Sequence, residues 1–454
     1  MSGGSARTGG AEGLLELAQW AVERLRDSAD YVQVYAESTL EVRVECLDGE
    51  VLATCVEPRE GLGCMVRKDD RWRHRAFSAE ELAELPSWQA GSTPLGPEAV
   101  AARWPEREDV PFTPVAARDW LVHDTKTPHS LRTMEDFTAR AVAVVDTEGV
   151  RASSATRLVR RRAEATVTVD GGRYRGLNRQ LERGPKAGLG LGGGAVLPAD
   201  VAREALGHAQ DSARAALRGS HRTPVVFGPT AAVGFLHELV GHALEGDNFA
   251  MRSDYITALR KPGAIPAGLS LYDDATLADG YGSYAIDDEG HAGRSTVLVA
   301  NGEIGSPLTS VRAAQRHGYT PTGNGRRRDH RELPLPRASN TVVPPGAEDP
   351  AALLGAVREG VLHVGSLGAG MINLATGEFS FAALNCTYLT PDGHRVPVRD
   401  VSLFGDALDV LRRVEGVGSD FGGDSITCGK QGQMIGIGLF SPSMRYSALD
   451  WSAA

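Results

Sequence analysis

Cysteine is scarce in this chain. The five cysteines (Cys46, Cys55, Cys64, Cys386, Cys428) are scattered and odd in number, which excludes a disulfide framework and points to a reducing compartment. Long apolar runs are missing too. No stretch reaches the roughly 18 residues of a membrane-spanning helix, and the opening MSGGSARTGG lacks the apolar segment of a secretory signal. A cytoplasmic protein with no membrane partner is the expectation. Surplus positive charge is also absent. The net charge of −10 is the wrong sign for gripping a phosphate backbone, so no nucleic-acid partner is expected. Three common chemistries lack their signatures. Ser283 and Ser366 each miss a glycine of the G-x-S-x-G elbow. Gly429–Gln431 has no Ser or Thr after its lysine, so it is not a phosphate loop. The glycines of KAGLGLGGGAVL (186–197) are out of register for a dinucleotide fingerprint and read as a flexible loop.

What is present is enough for two domains. A chain of 454 residues, 42% hydrophobic and 23% charged, exceeds what one core usually holds. Residues 1–10 read as a disordered tail. An amphipathic helix follows over 12–29, then period-two strands from 31 to 66 with an Asp48-Gly49 hairpin turn. The proline-rich stretch 85–115 reads as a linker or surface loop. A short helix is expected at 132–141, strands at 141–145 and 155–169, and a second helix at 199–218. The basic run RLVRRR (157–162) reads as a strand face paired with acidic neighbours. A boundary near 222 gives an N-terminal α/β domain with an antiparallel sheet (11–222) and a mainly β domain (223–454). In the latter, Asn301-Gly302 and Pro391-Asp392-Gly393 mark hairpins, and helices punctuate it at 351–359 and 406–414. The fold class is α+β.

The stretch TAAVGFLHELVGHALEGD (230–247) carries the chemistry. It reads as one amphipathic helix whose apolar stripe is Val233, Leu236, Val240 and Leu244. Two imidazoles, His237 and His242, bracket the carboxylate of Glu238. That combination is how a helix builds a catalytic metal site. The spacing is five rather than four, which on a regular helix splays the rings by about 140°. A π-bulge would bring an i, i+5 pair to one side, with Gly241 easing the distortion. Glu238 is placed as general base, and Glu245 and Asp247 as partners that orient an imidazole. The bland alternative is a solvated helix face holding two of the 12 histidines. A catalytic zinc needs a third protein ligand. Cys428 in TCGKQGQ, His291, Asp287, Asp288 and Glu289 are candidates. Arg326, in the run 326–328, could hold a peptide carboxylate through its guanidinium.

HELVGHALEGD, YGSYAIDDEGHAGRSTVLVANGEI, PTGNGRR, LPRASNTVVPPG, TGEFSF and TCGKQGQ occur in that order. Together they resemble the TldD/PmbA family of metallopeptidases, and within it the TldD subunit that bears the metal motif. DYVQVYAES through EGLGCMVR is similar to the family's first domain, so the resemblance covers nearly the whole chain. It implies that His237, His242 and Cys428 bind Zn2+ and that Glu238 is the catalytic acid/base. It also implies a barrel-like C-terminal domain, a chamber that admits unfolded peptides, and assembly with a PmbA-type partner subunit or as a homodimer. Two positions depart from the pattern: Gln431 stands where an acidic residue is expected, and His291 where a small one is. Zinc-dependent hydrolysis of extended peptides is the leading expectation. A tailoring hydrolase dedicated to one precursor, or a non-catalytic peptide-binding partner with structural zinc, are the alternatives.

Overall fold

The computed structural model describes residues 6–78, 80–85, 107–110, 112–122, 127–183, 197–278, 280–355 and 360–454. The glycine-rich loop at 188–194 and most of the proline-rich stretch lie outside these residues. In chain order the first half runs β1 (Ala6–Gly9), α1 (Ala11–Leu25), β2 (Tyr31–Leu47), β3 (Glu50–Lys68), β4 (Arg71–Ser78), β5 (Arg107–Val110), β6 (His129–Asp146), β7 (Arg151–Val169), β8 (Gly172–Arg183) and α2 (Pro198–Arg214). Strands β4-β3-β2-β6-β7-β8 form one antiparallel sheet. Asp48 and Gly49 both take positive φ (51° and 85°) between β2 and β3, the two-residue turn that suits the strand twist. α1 buries Leu14, Leu17, Ala18, Ala21 and Leu25 against β2, β3 and β6. α2 does the same over β7 with Val201, Ala202, Ala205 and Ala209.

Two expectations need correction here. Residues 132–141 are not helical but lie inside β6, where Leu131, Thr133, Glu135, Phe137 and Ala139 alternate inward. Ladders to β2 on one side and β7 on the other override the local helix preference of this stretch. Within the supposed tail, residues 6–9 pair with 107–110 of the supposed loop. The basic run pairs as expected. Arg161 meets Glu135 at 2.7 Å in the interior, and Arg160 meets Asp136 at 3.2 Å.

The second half begins with β9 (Gly219–Phe227) and α3 (Pro229–Leu236). It continues through β10 (Leu271–Asp274), β11 (Ser295–Ala300), β12 (Glu303–Ile304), β13 (Gly325–Arg326), β14 (Leu335–Pro336), β15 (Asn340–Val342), β16 (Val361–Ile372), β17 (Glu378–Leu389), β18 (Arg395–Val398), β19 (Val401–Asp406), β20 (Val414–Val417), β21 (Gly422–Lys430), β22 (Gln433–Ser441) and β23 (Met444–Ala453). Pairing runs β16-β9-β23-β19-β17 and returns from β17 to β16, which closes a five-stranded barrel. A separate sheet has the order β12-β11-β10-β15-β22-β21, leaving β21 at its edge. α3 lies between the two. Phe235 stacks on Phe227 at 4.8 Å and meets Phe379 and Phe381 of the barrel edge-on. Gly234, one residue back, faces Leu439 of β22. Pro229 in the first turn suits a helix start.

The two halves touch through charged and polar pairs. Arg140 of β6 holds Asp288 at 2.9 Å, Arg179 of β8 holds Asp424 at 2.7 Å, and Glu37 of β2 accepts the His330 N–H at 2.9 Å. Among the described residues, no helix is long and apolar enough to cross a membrane.

Candidate metal centre

The expected single helix over 230–247 is four pieces, the last a short helix beginning at Gly246 (Gly246–Phe249). α3 ends at Leu236, and His237–Gly241 forms one π turn in which the His242 N–H donates to the His237 carbonyl, five residues back. A short 3-10 turn, His242–Leu244, follows, and Glu245 is extended (ψ 130°), ending the run. The Gly246 N–H then donates to Leu308 O at 2.6 Å, and the chain turns away. The π turn does what the five-residue spacing demands. It brings the two rings to 4.7 Å between centroids, where a regular helix would leave them on different sides. Gly241 makes room for this, because a Cβ there would sit 3.1 Å from His237 Nδ1.

Cys428 arrives from the other direction, on β21, three residues before the tight turn formed by Gln431 and Gly432 (φ 49° and 82°). Its Sγ lies 3.1 Å from His242 Nε2. One donor atom each from His237, His242 and Cys428 fall within 4.8 Å of one another, and all three residues are buried. Each imidazole is held by its other nitrogen. Thr341 Oγ1 stands 2.9 Å from His237 Nδ1, and Glu245 Oε2 stands 3.0 Å from His242 Nδ1. His237 Nε2 is buried without a hydrogen-bond partner. Such an orphan is costly unless a ligand satisfies it. Burial alone would raise the Cys428 thiol, but the imidazoles of His237 and His242 outweigh it and bring its pKa down to about 5. A thiolate beside a free imidazole nitrogen can hold a metal ion.

Around this group sits a buried frame of opposite charges. Burial pushes Glu245 up, yet Lys430 at 3.1 Å, His242, and Arg337 with its Nε at 3.7 Å together hold it down at about 2. Arg337 is fully buried and also donates to Cys428 O at 2.7 Å. One side chain thus ties the strand of Cys428 to the carboxylate behind His242. Thr341, Arg337 and Lys430 were not singled out from sequence. They lie within LPRASNTVVPPG and TCGKQGQ, but no pattern distinguishes a buried strut from an ordinary loop cation.

The remaining candidates fall elsewhere. Asp247 reaches the site only through Lys430, at 2.6 Å. His291 is half-buried, donates its N–H to Asp287 and is not in the His/Cys group. Asp287 accepts backbone N–H bonds from Glu289, His291 and Gly325. Asp288 is held by Arg140 and by the Arg327 N–H, and Glu289 by the Val311 N–H. These carboxylates brace loops. The Arg326 guanidinium donates to the carbonyls of Ala338 and Gly436. Gln431 sits in the β21–β22 turn with positive φ. Glu238 differs from all of these. From Ala231 to Gly246 it is the one residue not buried, and its Oε1 lies 3.9 Å from His242 Nε2.

Residues 220–452 match the family described as the PmbA/TldA metallopeptidase C-terminal domain. A metalloprotease of Methanothermobacter thermautotrophicus is 36% identical over 226 residues, 50% of this chain and 49% of that protein. A metalloprotease TldD homolog of Buchnera aphidicola is 33% identical over 241 residues, 52% of this chain and 49% of that protein. The chain spans about half the length of the curated relatives it matches. The structure of TldE from Thermococcus kodakarensis shares the fold, with a TM-score of 0.71 at 13% identity, covering 96% of this chain and 100% of that one. The matched region contains His237, Glu238, His242 and Cys428 and takes in more than half of the chain. The chain belongs to the TldD/PmbA family of metallopeptidases.

Proposed function

We propose that the chain is a zinc-dependent peptidase acting on extended or unfolded peptides, with His237, His242 and Cys428 as metal ligands and Glu238 as the acid/base. The observation that carries this reading is the position of Glu238. From Ala231 to Gly246 it is the one residue not buried, and its Oε1 lies 3.9 Å from His242 Nε2. The donor set of two imidazoles and one thiolate suits zinc, and three protein ligands leave a position for substrate or water. Bound there, zinc would polarise the scissile carbonyl and acidify water. Glu238 then accepts a proton from the attacking water as its oxygen adds to the carbonyl carbon. It returns that proton to the amine nitrogen as the C–N bond breaks, releasing a carboxylate and an amine. Thr341 and Glu245 fix the two rings so that both Nε2 atoms are presented together.

Extended substrates suit the frame. β21 is an edge strand and carries Cys428, so a peptide can pair with its backbone regardless of sequence. β7 and β8 lie across this strand through Arg160, 3.3 Å from Thr427 Oγ1, and Arg179. This supports a covered site rather than an open cleft. A PmbA-type partner or a second copy would complete such a chamber. All five cysteines are free, in keeping with a reducing, cytoplasmic setting.

Glu238→Gln tests the reading. Zinc content is expected to match wild type, while cleavage of an unstructured peptide falls by about 10²–10⁴-fold. Equal cleavage by the variant would remove the peptidase mechanism and favour a peptide-binding protein with structural zinc. Cleavage of one precursor alone, with generic peptides refused, would favour the tailoring hydrolase.

A further inference from the structure

Glu238 lines a cavity of about 410 Å³, its open mouth included, whose walls include none of His237, His242 and Cys428. Its walls come from α3, the barrel and the separate sheet. Gly234 contributes from α3, Leu367 and Phe381 from the barrel, and Ile426 and Leu439 from β21 and β22. The depth has identifiable causes. Gly234 has no side chain, and the β16–β17 register slips between Leu367 and Gly370. The Phe381 ring occupies the space over Gly370, where a Cβ would collide at 1.9 Å. Arg179 and Asp424, which also line the cavity, neutralise each other at 2.7 Å, so the charge left on its walls is the Glu238 carboxylate, which the proton transfer engages.

Its place along β21 is informative. Asp424, Ile426 and Cys428 alternate on one strand and therefore project to the same side. The cavity thus lies two residues, about 7 Å, from the proposed metal ligand. A peptide paired along β21 with its scissile bond level with Cys428 would send a neighbouring side chain into it. We propose that this cavity is a specificity pocket for one uncharged, apolar residue of leucine or methionine size next to the scissile bond. The proposal rests on the peptidase reading.

The test is cleavage-site profiling by mass spectrometry, using the zinc-loaded full chain and a degenerate library of unstructured peptides. Wild type is expected to favour Leu and Met over Asp, Lys and Gly at one position by about 10–100-fold, the range that a hydrophobic pocket delivers. Gly234→Ala adds a methyl 3.5 Å from Leu439 and 3.6 Å from Leu367, ordinary contact distances, and alanine favours helix. Its preference should move to Ala and Val, with zinc content as the check on folding. Ile426→Ala enlarges the pocket and should move the preference the other way, to Phe. A flat profile at every position, or one that neither variant shifts, overturns the pocket while leaving the peptidase intact. Zinc-loaded wild type that cuts no library peptide, alone or mixed with a PmbA-type homologue, overturns both.

Discussion

At the scale of single residues, the proposed centre depends on what stands behind its candidate ligands. The helix supplies two imidazoles and the strand one thiolate, but Thr341 and Glu245 decide which ring nitrogen is free. Glu245→Gln removes a carboxylate clamped by Lys430 and Arg337, leaving the buried Arg337 without its acidic partner while Lys430 keeps Asp247. Zinc affinity, measured by competition with a chelator, is expected to drop about 10–100-fold. Unchanged affinity would make Glu245 a purely structural anion. That His237 and His242 come together was legible from their types and spacing, as was the candidacy of Glu238 beside them, because few residues perform such chemistry. Arg337 was not legible, since its part depends on lying within reach of Cys428 O and Glu245 at once, a fact of the fold alone.

At the scale of elements, the π turn is the device that converts an awkward spacing into a site. Its existence could be inferred from sequence, because histidines five apart cannot converge on a regular helix. The end of the helix could not. Nothing in LEGD announces that Glu245 becomes extended to bridge Leu308. Gly241→Ala tests the turn: the new methyl presses on His237 Nδ1 at 3.1 Å. Zinc affinity should fall by about tenfold, with far-UV circular dichroism unchanged. An affinity equal to wild type would show that the ring has slack. The failed helix at 132–141 teaches the reverse lesson. Its local preference was overruled by two neighbouring strands that no window of ten residues can reveal.

At the scale of the whole molecule, buried acids lie beside the contact between the two halves. Asp287 and Glu289 sit fully inside, and burial raises both above the ordinary carboxylate range. Glu289 Oε1 has no hydrogen-bond partner among the described residues. An acid whose folded pKa is raised favours the folded state while neutral, and that contribution is lost as pH rises through the folded pKa. Glu289→Gln should therefore match wild type near pH 5. Toward pH 8–9 it should become more stable than wild type by on the order of 1–3 kcal/mol, read by urea denaturation. A difference that is constant with pH would contradict this. Such long-range pairings were beyond the sequence. The hairpins and helices of each half were readable from local patterns, but not the closure of β16 onto β17 or the approach of Glu37 to residue 330.

The most direct measurement of the central claim is X-ray absorption at the zinc edge of the metal-loaded protein. The expected sphere is one sulfur at about 2.3 Å, two imidazole nitrogens at about 2.0 Å and one exchangeable oxygen. Cys428→Ser should erase the sulfur shell. A sphere without sulfur, or one filled by four protein donors, would contradict an open centre built from the π turn and β21.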